Sequence, residues 1–243
     1  MAMPQPRTLP STDPIAVALT KAIQSGDVAA LRQLVDSDQE LAHVRIGDPG
    51  AARSLVHLAT DWPGHFPNVA ATIAALAAAG ADVNARMPPL PKDPNCMETP
   101  LHWAASSNDV AAVDALLDAG ADIEATGAVF TGGAPLSDAV VFANWAAANR
   151  LVERGARPTW WQAAALGTID LVRARWNEQP PPTRDEITRA FWHACRAAQQ
   201  HTAAFLFEHG ADPEWVGWDH KTPRQVANES GNAQFIAWLE KAT

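Results

Sequence analysis

The feature that most constrains this chain is a phrase that returns. Thr99-Pro100-Leu101-His102-Trp103-Ala104-Ala105 is followed, eighteen residues after its His, by Gly120-Ala121-Asp122. Ser54-Leu55-Val56-His57-Leu58-Ala59 leads to Gly80-Ala81-Asp82-Val83-Asn84-Ala85, and Ala134-Pro135-Leu136-Ser137 leads to Gly155-Ala156. Degraded copies follow at Ala163-Ala164 with Gly167, at Arg189-Ala190-Phe191-Trp192 with Gly210-Ala211-Asp212, and at Thr222-Pro223-Arg224-Gln225 with Gly231. The segment from Ile15 to Val35, around Gly26, supplies one more. A fixed period means one small unit that cannot bury its apolar face alone, so neighbouring units must stack.

Each part of the phrase has a mechanical reason. Proline in the first helical turn has no N–H to leave unpaired, and the Thr before it can cap that turn, so Thr99-Pro100 and Thr222-Pro223 begin helices. The glycine of Gly-Ala-Asp ends one, because a left-handed residue after a helix favours Gly. Between start and stop, apolar residues recur at helical spacing: Leu31, Leu34 and Val35; Val113, Leu116 and Leu117; Ala148, Leu151 and Val152; Phe235, Ile236 and Leu239. These are the expected core. Alanine pairs such as Ala104 and Ala105 let helices approach closely.

The phrase at Thr99 to Ala105, with its Gly-Ala-Asp, resembles an ankyrin repeat almost letter for letter. The resemblance implies an all-α ankyrin-repeat solenoid of about seven helix-turn-helix repeats with one enlarged finger loop. It places a flexible tail at residues 1–12 and the repeat domain at residues 13–243. It also implies that His57 and His102 tie their turn to the neighbouring finger, which makes both structural.

Departures from the pattern carry more information than agreement. From Gly80 to Thr99 is nineteen residues, against about twelve in repeats of this family. The excess is Met87-Pro88-Pro89-Leu90-Pro91-Lys92-Asp93-Pro94, an enlarged finger. From His57 to Gly80 is 23 residues, so Asp61 to Asn68 holds an insertion between the two helices of that unit. After Gly155, Arg157-Pro158-Thr159 runs almost directly into Trp160-Trp161-Gln162, which leaves no room for a finger and predicts an interruption of regular stacking near Pro158. Proline-rich insertions are often rigid spacers, but loops on a rigid scaffold are also where binding residues concentrate.

Composition bounds the function. The chain is 47% hydrophobic, without an apolar run long enough to span a bilayer, and Met1 to Pro10 lacks the apolar middle of a secretory signal. The expectation is a cytoplasmic protein with no membrane partner, and the Arg-over-Lys, alanine-rich composition reads as bacterial. A formal charge of −9 argues against nucleic acid, which needs a cationic surface. Cys96 and Cys195 cannot form a disulfide framework and lack a metal-binding spacing. His193 and Cys195 are two apart on a predicted helix and point to different faces, so no shared metal is expected.

The inner wall of the stack follows from helical geometry, since i, i+3 and i+4 share a face. Counted from each motif His, residues one, four and five places later line that wall. The binding residues expected from this count and from the first insertion are Asp61, Trp62, His65, Trp103, Asp138, Phe142, Gln162, His193 and Arg196. Exposed aromatics and Arg are typical anchors. With ten Trp and no Tyr, several indoles must fill the core instead, for which Trp145, Trp176 and Trp238 are the expectation. The insertions at Trp62 to Phe66 and Pro88 to Pro94 would roof the wall.

No catalytic residue, cofactor or metal is expected. The resemblance implies a non-catalytic binding module that recognises a protein partner, basic in character, through its concave face and fingers, in an adaptor or inhibitor role. The alternative is an ankyrin-fold protein that encloses a small molecule in an aromatic concave pocket and acts as an unusual enzyme. The terminal repeat looks adequate as a cap, so a monomer is expected.

Overall fold

The computed structural model describes residues 6–48, 50–89 and 94–242. Among them fourteen α-helices pair into seven hairpins. Contacts divide the chain into two compact units, residues 1–156 and 157–243. The boundary falls in the short connection where the sequence lacks room for a finger.

The first unit holds α1 (Pro14–Ser25) with α2 (Val28–Ser37), α3 (Leu55–Ala59) with α4 (Val69–Ala78), α5 (Pro100–Ser106) with α6 (Val110–Asp118), and α7 (Pro135–Val141) with α8 (Trp145–Glu153). Local chemistry sets these boundaries. The Asp13 carboxylate accepts from the backbone N–H groups of Ile15 and Ala16 and Pro14 opens α1; Asp27 and Asp109 cap α2 and α6 through Ala30 and Ala112. Leu19, Ile23, Leu31, Leu55, Ile73, Leu76, Leu101 and Leu116 are fully buried between the helix layers. On the outer layer, Arg150 in α8 and Arg154 at its end both bond Asp114, and Arg154 also bonds Asp118, which lashes α6 to α8.

A small sheet accompanies the first unit: β1 (Thr8–Leu9) runs parallel to β2 (Arg45–Ile46), which pairs antiparallel with β3 (Arg53–Ser54). The second pairing is a finger hairpin. The first corrects the expected tail over residues 1–12, because Thr8–Leu9 adds a strand to that finger and Leu9 is buried. Its apolar side chain and free backbone edge are satisfied together only there.

The insertion between α3 and α4 is a clasp. The His65 N–H donates to Asp109 Oδ2 at 2.7 Å and its Nε2 bonds the Ser107 carbonyl at 3.0 Å, while the Asn68 amide donates to the Gly26 carbonyl at 3.0 Å. One segment therefore touches the hairpins on either side of its own. Gly26 has φ 67°, and a Cβ there would lie 2.1 Å from the Pro67 carbonyl oxygen, so only glycine admits the insertion so closely. In the enlarged finger, Met87, Pro88, Pro89 and Pro94 are described, and Leu90 to Asp93 lie outside the described residues. Arg86 donates to the carbonyls of Thr126 (2.6 Å) and Met97 (3.3 Å), which fastens that finger's base to the next.

The second unit holds α9 (Trp160–Ala165) with α10 (Ile169–Trp176), α11 (Arg184–Arg196) with α12 (Gln200–Glu208), and α13 (Pro223–Glu229) with α14 (Ala233–Ala242). Val172, Ile187, Phe191, Trp192, Leu206, Val226, Phe235 and Leu239 form its core. Trp192 is the fully buried indole; Trp176 and Trp238 pack against that core half-buried, and Trp145, in the first unit, is also half-buried. The sequence expectation for the buried tryptophans is corrected accordingly. Helix α11 starts at Arg184, ahead of the recognisable motif at Arg189, because Thr183 and Glu186 cap each other: the Thr183 N–H donates to Glu186 Oε2 at 2.7 Å.

Candidate functional site

Two rows of side chains follow from the caps. Four positions beyond the N-caps Ser54, Thr99 and Ala134 stand Leu58, Trp103 and Asp138, on three helices packed in succession. At the ends of those turns stand Trp62, Ser107 and Phe142. Trp62 is 83% exposed and Phe142 43%, so two of the expected aromatics reach solvent in the first unit. Near its start, a hollow of about 530 Å³ is lined by Val17, Lys21, Gln24, Ser25, Arg53 and Leu58 among others.

The residue that organises this face is Glu98, just before the α5 cap. Its Oε2 accepts from the Trp103 indole at 2.9 Å and its Oε1 from the Val129 N–H at 3.2 Å. Its side chain also hydrogen bonds Asp138. Asp138 is 1% exposed; burial first, and the Glu98 charge second, push its pKa up to about 9, so it keeps its proton and shares it with Glu98. Its Oδ2 has no hydrogen-bond partner. Beside them, the Phe130 and Phe142 rings lie 6.0 Å apart. Phe130 is 74% exposed at the tip of the finger between α6 and α7, with φ 64°. A bulky residue in the left-handed region is a genuine outlier; here the finger imposes it, through Gly127 N–H to Gly132 and Ala128 N–H to Gly133.

The other expected members of this face have assigned tasks. Asp61 pairs with Arg53 and caps the Trp62 N–H. His65, expected among the binding residues, is engaged in the clasp described above. His57 and His102 are fully buried and structural. His102 Nδ1 accepts from the Thr99 N–H at 3.1 Å and its Nε2 donates to the Gly133 carbonyl at 3.2 Å; His57 Nε2 donates likewise to the Glu98 carbonyl at 3.1 Å. Burial lowers their basicity to about 4 and about 3, which keeps both rings neutral.

In the second unit, Gln162 repeats the part of His102. Its Oε1 accepts from the Thr159 N–H at 2.7 Å and the residue is 2% exposed, because it stands three residues after its cap, as His102 does after Thr99. Trp161 points instead to His193, with ring centroids 4.5 Å apart. His193 is buried among Trp161, Trp192 (5.1 Å) and Trp218 (5.0 Å), with Nδ1 unpartnered and its basicity lowered by burial to about 3. The Arg196 guanidinium stands 5.7 Å from the Trp192 ring. Trp218 is 54% exposed beside Val216 at 51%.

Sequence reasoning missed Glu98, Phe130, Trp161 and Trp218. The finger aromatics carry a faint signal, each lying next to or near a glycine in a finger turn; Glu98 carries none, since it precedes the helix whose periodicity is readable. Among the described residues no group of three or more His, Cys, Asp or Glu could hold a metal ion, and no helix is long and apolar enough to cross a membrane.

Stacked helical hairpins linked by fingers define a repeat protein. The ankyrin-repeat family model matches residues 97–128, the repeat containing α5 and α6. The fold is similar to that of the human ASB11 ankyrin repeat domain, with a TM-score of 0.53 over 93% of this chain and 97% of that one, at 20% identity. No curated protein matches the sequence. The chain thus carries an ankyrin repeat at residues 97–128 and has the fold of an ankyrin-repeat domain; ankyrin repeats serve in general as protein–protein interaction modules.

Proposed function

We propose that the protein is a non-catalytic adaptor or inhibitor that grips a partner protein, basic in character, through the inner face of residues 1–156. The observation that carries this reading is the set of solvent-exposed aromatics on one unit: Trp62, Phe130 and Phe142, with Trp103 beside them. Monomeric proteins rarely expose contiguous apolar area without using it, and aromatic anchors dominate interface energetics. The strained backbone of Phe130 supports the same reading, since strain is tolerated where the side chain has a task.

The test is comparative co-purification. The native chain should retain a partner that Phe142→Ala and Phe130→Gly both lose, each by about 2 kcal/mol or more of binding free energy. Phe130→Gly is diagnostic because it relieves a left-handed residue, so the fold should gain stability while binding weakens. Changes at Glu240 or Lys241 should leave binding intact. A partner that tolerates the aromatic variants but is lost on altering Asp114 or Arg150 would place the interface on the outer helices.

A further inference from the structure

Asp138 stands where α3 and α5 place Leu58 and Trp103. The repeat does not require an acid there. Its Oδ2 is buried without a partner, and an unsatisfied buried polar atom is costly enough to demand an explanation. Glu98, half-buried, hydrogen bonds Asp138 and is held by the Trp103 indole and the Val129 N–H. No Lys or Arg among the described residues forms an ion pair with either carboxyl. The chain as a whole carries −9.

From this geometry we infer that Glu98 and Asp138 together receive a cationic side chain of the partner, an arginine or lysine that enters beside Trp103 and Phe142. The inference rests on the reading of this face as the partner-binding surface. In the free protein one proton lies between the two carboxyls. The arriving cation meets Glu98, its field draws that proton from Asp138, and the proton passes to solvent. Net charge at the site is unchanged, because one proton leaves as one cation arrives. Two carboxylates then share the cation, and the unpartnered oxygen becomes an acceptor in use. Trp103 and Phe142 supply the low-dielectric, π-rich flank in which a cation is held more strongly than in water.

Other charged groups near α7 are engaged elsewhere. On α5, His102 is neutral and donates to Gly133. At α8, Arg150 bonds Asp114 and Glu153, and Arg154 bonds Asp114 and Asp118. Glu98 is the charge that acts on Asp138.

The test uses the full chain and a library of random peptides displayed on phage, with Glu98→Gln, Asp138→Asn and Phe142→Ala forms screened beside it. Enriched peptides should carry Arg or Lys flanked by apolar residues. A synthetic copy should lose at least about tenfold in affinity against Glu98→Gln, whose amide oxygen can still accept from Trp103 or Val129, and should bind Asp138→Asn more weakly too. Calorimetry in buffers of different ionisation heat should show a proton released on binding to the native chain and none with Asp138→Asn. Peptides that lack cations, or that bind Glu98→Gln as well as the native chain while failing on Phe142→Ala, overturn the inference and leave the binding face standing. Peptides indifferent to Phe142→Ala, or no enriched peptide at all, remove both.

Discussion

The indole Nε1 of Trp192 donates to the carbonyl oxygen of Lys221 at 2.9 Å, the residue immediately before the Thr222 cap. His57 and His102 make the same bond to Glu98 and Gly133, each the residue before the next cap. A tryptophan thus does the imidazole's work in the sixth hairpin: it spans the gap to the next finger with an N–H at the end of a flat ring. The neighbourhood has adjusted to the larger ring, since a Cβ on Gly217 would lie 2.7 Å from it.

Trp192→Phe should therefore cost more than a conservative aromatic exchange. It keeps most of the apolar volume but removes one of the two hydrogen bonds that the Lys221 carbonyl accepts, the other coming from the Gly217 N–H, an expected loss of about 1 kcal/mol in urea unfolding. Trp192→His tests the equivalence, because it restores an N–H at reduced reach. If Phe proves as stable as Trp, the hydrogen bond contributes nothing.

His102→Ala should destabilise the protein by about 1 to 3 kcal/mol, because it orphans the Thr99 N–H in a buried turn and removes one of the two N–H bonds to the Gly133 carbonyl, which keeps that of Ala128. Ligand recognition should be unchanged in kind. An unchanged melting temperature would instead assign this ring to the binding face.

Stability should peak near pH 6.5, and the two limbs have different owners. His57, His102 and His193 have basicities lowered by burial to about 3, 4 and 3 from 6.5. Below about pH 6.5 the unfolded chain takes up protons that the fold refuses, so their contribution is lost as pH falls, at up to about 1.4 kcal/mol per pH unit for each. Asp138 works oppositely: raised to about 9 from 3.8, it favours the fold fully below pH 3.8 and progressively less as pH rises to about 9. Three histidines outweigh one aspartate on the acid side, and Asp138 alone sets the slope between pH 6.5 and about 9. Urea midpoints across this range should show the maximum, and Asp138→Asn should flatten the alkaline limb while steepening the acid limb between about pH 4 and 6.5, where Asp138 opposes the histidines.

Gly26→Ala should be among the more damaging single-methyl changes. The added carbon would meet a backbone oxygen at 2.1 Å in a left-handed conformation, whereas Gly120, also left-handed at φ 90°, would have nothing within 4 Å of an added methyl. Overpacking costs about 1 to 3 kcal/mol beyond the strain that both positions share, so Gly26→Ala should melt well below Gly120→Ala. Equal melting would mean that the Pro67 carbonyl yields freely.

The fold was legible because its signals are local. Thr99-Pro100, Thr222-Pro223 and the recurring Gly-Ala-Asp name helix starts and stops through backbone chemistry, and the structure places seven hairpins accordingly. The candidate face was legible only where it lies on a regular helix or at its end, as with Trp103, Asp138 and Phe142. Gln162 was misplaced because Ala163-Ala164 mimics the Ala104-Ala105 pair one residue out of register: Gln162 stands three residues after Thr159, and a single-residue shift exchanges the cap for the exposed face. Phe130 and Trp218 sit on fingers, where no periodicity reports direction. Glu98 and the role of His65 depend on partners 31 to 44 residues away in the chain, a range at which one sequence carries no pairing information.

In a linear repeat array each interface ordinarily contributes its own energy, and an end can fray without disturbing the middle. The segment from His65 to Asn68 alters that arithmetic, because it bonds Gly26 on one side and Ser107 and Asp109 on the other. Peeling the first hairpin away strips the anchor from a loop that also braces the third, so the two interfaces fail as one. The N-terminal three hairpins consequently form a cooperative block, with amide exchange that opens them together rather than in succession from the end.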